Sequence, residues 1–238
     1  MNVALIFAGG TGRRMNTSSK PKQFLEMHGK PVLIYTLEHF EVHDEIDEIV
    51  MVCLASWHEK LKHMLDKYGI HKVSKIVIGG NTAHESIFNG LKAMEDIYKE
   101  DDIIVIHDGV RPLINGKLIS TCIDKAKKKG AVITVEAVRE SVVRIVNNDF
   151  ITDIPPRDEM FIAKAPQTFK YKLILDLYKK AKNDNVLTVD SAHLCSVYGI
   201  VMHHVASPPN NMKITTSYDY YIFRALYEAM ENQQILGV

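Results

Sequence analysis

The chain has 238 residues, 46% hydrophobic and 24% charged, which suits one α/β domain with a sizeable core and lies outside the disordered and fibrous classes. Its 29 Lys and Arg balance 29 Asp and Glu, so the whole-molecule field offers nothing to nucleic acid or to an anionic membrane surface. No apolar run approaches the roughly 20 residues that cross a bilayer, and no basic leader precedes the first strand-like run, so a cytoplasmic protein is expected.

Five short runs rich in β-branched residues read as strands: Ala4 to Ala8, Glu48 to Leu54, Lys75 to Ile78, Asp102 to His107 and Ala131 to Ala137. They are nearly continuously apolar, the pattern of strands buried on both faces of a parallel sheet. Helical spacing lies between them. Leu33, Leu37 and Phe40 follow Pro31; Leu61, Leu65 and Tyr68 precede a stop at Gly69. Ile87, Leu91, Met94 and Ile97 form another stripe, and Leu118, Cys122 and Ala126 lead to Gly130. These stripes are core packing.

Val142 to Val146, the turn Asn147-Asn148-Asp149 and Phe150 to Ile154 read as a β-hairpin arm at about 138–160 with little of its own to pack against. A second copy of the chain is the expected support, hence a homodimer. A helix at Tyr171 to Lys182, another from Asp190 to Val197, a strand at Ile200 to Val205 and a closing helix striped by Phe223, Leu226 and Met230 complete the order. The whole predicts one α/β domain over 1–238, an open and mostly parallel Rossmann-like nucleotide-binding sheet with a protruding hairpin.

Cys53, Cys122 and Cys195 lie far apart in apolar runs and read as buried, reduced thiols. The eleven histidines are scattered, and His203 and His204 would face opposite sides of a strand. A protein-built metal site is not expected.

The first strand runs into Ala8-Gly9-Gly10-Thr11-Gly12-Arg13-Arg14-Met15, with Lys20-Pro21-Lys22 close behind. Glycines let backbone N–H groups approach phosphate, and the clustered cations neutralise it, so a triphosphate is the natural occupant. No G-x-x-x-x-G-K-[ST] string occurs, and Met15 stands where a dinucleotide fingerprint needs its third glycine, which disfavours a dinucleotide-dependent oxidoreductase. His107-Asp108-Gly109-Val110-Arg111-Pro112 ends the fourth strand on the same sheet edge. There Asp108 suits a divalent cation or a substrate hydroxyl and Arg111 a phosphate, although a D-x-x-R at a strand end also serves as a turn ion pair. Gly79-Gly80-Asn81 with Ser86 suits a base or ribose, or equally a plain βα turn capped by Asn81. Lys213 and Arg157, by themselves, read as solvent-facing cations.

Taken together, "AGGTGRRM" with "KPKQF", "GGNTAHESIFNGL", "HDGVRP", "AKAPQTF" and "NMKITTSYD" resemble, in order and over nearly the whole chain, the cytidylyltransferases that act on methylerythritol 4-phosphate and ribitol 5-phosphate. The resemblance implies CTP and Mg²⁺, with Arg14 and Lys22 on the triphosphate and Lys213 on the α-phosphate. Ala8, Gly9, Gly10, Thr11, Gly12, Gly80, Asn81 and Ser86 would line the nucleotide. Asp108, Arg111, Ser141 and Arg157 would form the polyol-phosphate site, with Asp108 a possible metal ligand and the last two reaching in from a partner's arm. Ala83 and His84 replace an Arg found in many members, and Ser141 keeps the hydroxyl of a threonine. Ser56-Trp57, "IPPRDEMF", "MKITT" and Thr188-Val189-Asp190-Ser191-Ala192 look more like the ribitol branch, which would feed a surface polymer such as teichoic acid or capsule. The methylerythritol enzyme of isoprenoid precursor synthesis is the second reading, and a nucleotide-sensing module that has lost activity is the non-enzyme one.

Overall fold

The computed structural model describes residues 1–9 and 20–236. In chain order come β1 (Asn2–Ala8), the two-residue strands β2 (Glu26–Met27) and β3 (Lys30–Pro31), α1 (Val32–Glu41), β4 (Glu48–Cys53), α2 (His58–Lys67) and β5 (Val73–Ile78). Then follow α3 (Ala83–Lys92), β6 (Ile103–Asp108), α4 (Gly116–Lys129), β7 (Ala131–Ala137), β8 (Arg144–Val146) and β9 (Phe150–Asp153). β10 (Phe161–Lys170), α5 (Tyr171–Asn183), α6 (Ser191–Val197), β11 (His203–Ala206) and α7 (Ser217–Leu236) close the order.

Seven strands form one sheet in the order β11-β7-β10-β6-β1-β4-β5, parallel throughout except β10, which runs antiparallel to both its neighbours. β1 sits near the middle, and its alternate residues supply both cores. Ala4, Ile6 and Ala8 pack with α1, α2 and α4 on one face, Val3 and Leu5 with α3, α5 and α6 on the other. A third cluster of Met27, Val32, Tyr35, Val110, Leu113, Ile214 and Phe223 holds α7 against α1.

Local chemistry sets the boundaries. The Asn115 side chain accepts the Leu118 N–H at the start of α4, and Gly130 (φ 84°) ends it. Asn147 and Asn148 both have positive φ in the β8–β9 turn, as a tight hairpin requires. All three cysteines are buried and free. No helix among the described residues is long and apolar enough to cross a membrane.

Three expectations need correction, and one strand went unread. β5 forms the sheet edge, so it is half open and Ile78 is exposed. α3 ends at Lys92, leaving Ile97 beyond it and exposed. Met230 of α7 is exposed as well. β10 was not legible as a strand.

Candidate active site

At the carboxyl ends of β1, β5 and β6 opens a cavity of about 660 Å³. β1 delivers Ala8 and Gly9 to it, and β5 delivers Gly79, Gly80 and Asn81. These two glycine segments touch: a Cβ on Gly79 would stand 3.4 Å from the Gly9 Cα and 3.1 Å from the Ser86 Oγ. Ser86, in the first turn of α3 and buried, accepts the Gly80 N–H at 3.1 Å, so its hydroxyl fixes the shape of the turn that lines the cavity. The cap of α3 is Thr82, whose hydroxyl accepts the Glu85 N–H at 3.0 Å, and not Asn81. Asn81 instead donates its backbone N–H to the Glu85 carboxylate, which leaves its side chain to the cavity wall.

Lys22 also lines the cavity, carried on a short helical turn, Lys22–Phe24. Gln23, 1% exposed, donates its side-chain N–H to the Ala8 carbonyl at 2.7 Å and so holds this turn against the end of β1. Phe24 is fully buried and stacks on Trp57 with ring centres 4.1 Å apart, which fixes the turn from beneath.

The floor carries the charge. Asp108 ends β6 and is buried; its Oδ2 accepts from the Arg111 Nε at 2.7 Å and its Oδ1 faces the Lys213 Nζ at 2.5 Å. Burial alone would raise the Asp108 carboxyl, but the charges and hydrogen bonds of Lys213 and Arg111 outweigh it and hold the group well below the usual carboxylate range. Two cations on one carboxylate leave the cluster net positive, as an anion site requires. Among the described residues lining the cavity Asp108 is the one acidic side chain, and no group of three or more His, Cys, Asp or Glu gathers anywhere among them. A magnesium ion takes most of its ligands from phosphates and water and needs one or two carboxylates, so a single Asp108 fits it.

A family model described as "IspD: 2-C-methyl-D-erythritol 4-phosphate cytidylyltransferase" matches residues 2–228. The chain belongs to this family. A curated ribitol-5-phosphate cytidylyltransferase of Vibrio parahaemolyticus is 44% identical over 238 residues, all of both chains. A 2-C-methyl-D-erythritol 4-phosphate cytidylyltransferase of Clostridium botulinum is 38% identical over 230 residues, 96% of this chain and 98% of that one. The crystal structure of 4-diphosphocytidyl-2C-methyl-D-erythritol synthase from Anaerococcus prevotii superposes with a TM-score of 0.83 at 29% identity, covering 95% of this chain and 96% of that one. The enzyme is therefore a CTP-dependent nucleotidyltransferase.

Of the residues picked out in the sequence of this cytidylyltransferase, Ala8, Gly9, Lys22, Gly80, Asn81, Ser86, Asp108 and Lys213 line the one cavity. Gly10, Thr11, Gly12 and Arg14 lie outside the described residues. Arg111 lines a smaller recess beside the cavity, in the turn ion pair that its D-x-x-R spacing also allowed. Ser141 and Arg157 are exposed on the arm and line neither space within their own chain. Gln23 and Asn211 had drawn no role. Each sits one or two positions from a predicted cation, and only the fold shows that their amides reach the Ala8 and Ala165 carbonyls.

Proposed function

We propose that this enzyme transfers the cytidylyl group of CTP to ribitol 5-phosphate, or a close pentitol phosphate, giving CDP-ribitol and pyrophosphate. The observation that carries the class of reaction is Lys22, Asp108 and Lys213 meeting the glycine turns in one cavity. For the acceptor, the support is the full-length match at 44% to a ribitol-5-phosphate enzyme against 38% to a methylerythritol one.

No protein nucleophile is needed. A phosphate oxygen of the acceptor attacks the α-phosphorus of CTP in line, forming one P–O bond as the bond to the β-phosphate oxygen breaks and pyrophosphate leaves. Lys213 and Lys22 stabilise the charge that builds on the phosphoryl oxygens. The backbone of Gly79 and Gly80, shaped by Ser86, positions the nucleoside. Mg²⁺, when bound, adds Lewis-acid stabilisation of the triphosphate, and Asp108 would hold it.

Ile145, Phe150, Ile151 and Ile154 are exposed on the arm, Phe150 at 64%. Such a face supports a homodimer in which each arm, with Ser141 and Arg157, serves the partner's acceptor site; a monomeric mass at micromolar concentration would count against it.

The test is pyrophosphate release from CTP and Mg²⁺ with ribitol 5-phosphate and methylerythritol 4-phosphate side by side. Turnover with ribitol 5-phosphate is expected. Turnover confined to methylerythritol 4-phosphate moves the enzyme to isoprenoid precursor synthesis, and silence with both refutes the acceptor class.

A further inference from the structure

Beside the main cavity lies a recess of about 110 Å³ that shares Phe7, Ala83, Asp108 and Lys213 with it. At about 30 Å³ per water it holds three or four waters, or the hydroxylated part of a polyol chain. Lys164 of β10 lines this recess, and nothing derived so far uses it.

The Lys164 side chain is only 12% exposed. Its ammonium is paired with Glu136 of β7 and donates to the Asn211 carbonyl at 3.0 Å. The Arg111 Nη1 donates to that same carbonyl at 3.3 Å, so Lys164 and Arg111 flank one oxygen, with Asp108 on the far side of Arg111. An ammonium has three N–H donors, and these two bonds use two of them; the Glu136 carboxylate likewise keeps accepting capacity beyond its one bond. A charge-compensated donor next to the reaction centre matches a neutral hydroxyl better than a second phosphate.

We propose that Lys164, oriented by Glu136, determines acceptor specificity by donating its third N–H to a hydroxyl of the polyol chain. The inference rests on the polyol-phosphate reading above and adds the residue that makes the choice. A site built to hydrogen-bond a hydroxyl rejects an analogue lacking it far more strongly than a pocket rejects a methyl, because the buried donor is then left unpaired.

The experiment uses the full chain and the variants Lys164→Met, Lys164→Arg and Lys164→Met/Glu136→Gln. Thermal midpoint and KM for CTP serve as controls. Affinity for methylerythritol 4-phosphate is read as turnover, or as competitive inhibition where it is not turned over. In Lys164→Met, kcat/KM for ribitol 5-phosphate should fall by about 20-fold or more, with methylerythritol 4-phosphate affinity within about threefold. Lys164→Arg should restore part of the loss, and the double variant should keep the altered preference. Equal loss with both acceptors, relieved in the double variant, would mean that the pair is structural and overturn the inference, as would no change with either. If the wild-type enzyme ignores ribitol 5-phosphate, the acceptor reading fails and this inference with it. If the wild type uses it and Lys164→Met leaves the preference intact, this inference alone fails.

Discussion

His107 gives the sharpest test of the energetics around the site. It precedes Asp108 in β6 and is fully buried; its Nε2 donates to the Arg111 carbonyl at 3.3 Å, and its ring packs 5.3 Å from Phe40. Its Nδ1 has no hydrogen-bond partner. Burial drives the ring from its ordinary value of 6.5 down to about 3, and the neighbouring Asp108 charge, which pulls the other way, does not offset it. The folded value lies below the unfolded one, so the unfolded chain takes up a proton that the fold refuses. The stability contributed is complete above the unfolded value and is lost as pH falls from there towards 3, at about 1.4 kcal/mol per pH unit. Between pH 7 and pH 5 the loss is about 2 kcal/mol. His39 and His84 are also lowered by burial, so the wild-type slope alone does not isolate His107. His107→Gln puts an amide N–H near the Nε2 position, where it can serve the Arg111 carbonyl, and removes the titration. Urea unfolding of both proteins at about pH 7, 6 and 5 should show the variant weaker at pH 7 by about 1–3 kcal/mol and the gap closing by about 2 kcal/mol towards pH 5. A constant gap would refute the neutral, buried His107.

Two further outcomes follow from the geometry. Lys213→Met removes the cation on the Asp108 Oδ1, so kcat should drop by about 100-fold or more while the thermal midpoint moves far less, read by pyrophosphate release and calorimetry. Gly79→Ala would set a Cβ 3.1 Å from the Ser86 Oγ and 3.4 Å from the Gly9 Cα. KM for CTP should rise by about tenfold with a modest loss of stability, and an unchanged KM would show that this turn does not shape the nucleotide site.

The parallel strands were legible because burial on both faces makes them continuously apolar; β7 was predicted at Ala131 to Ala137 and spans those residues. β10 was not, for a physical reason. Lys164, Pro166, Gln167 and Thr168 interrupt any apolar run, and the strand tolerates them through a register shift between Lys164 and Gln167 while β6 and β7 pair with its two edges. The same strand carries Lys164 and Gln167 into the recess, so what hid the strand is what makes it useful. The first glycine turn and Lys22 were legible from local chemistry, whereas Lys213, which alone reads as a surface cation, was placed only by the family resemblance. Asn211 was not, since its contacts to Ala165, Arg111 and Lys164 span between 46 and 100 positions of sequence.

The charge cluster divides into a fixed part and an exchangeable part. The side chains of Asp108 and Arg111 are 7% and 10% exposed, and that of Lys213 is 36% exposed. Removing Asp108 would leave Arg111 buried without its carboxylate, at a cost of about 3–5 kcal/mol. Lys213, half in water, gives up its contact for far less. Its backbone has separate anchors: Ile214 is fully buried against Val110 and Phe223, its N–H donates to the Val110 carbonyl at 2.9 Å, and burying that side chain contributes about 1.5–3 kcal/mol. Apolar packing therefore fixes where Lys213 emerges, and the ammonium is left to choose between Asp108 and an arriving phosphate. In the proposed reaction, transfer of Lys213 to the phosphate would leave Asp108 still compensated by Arg111, with its Oδ1 freed.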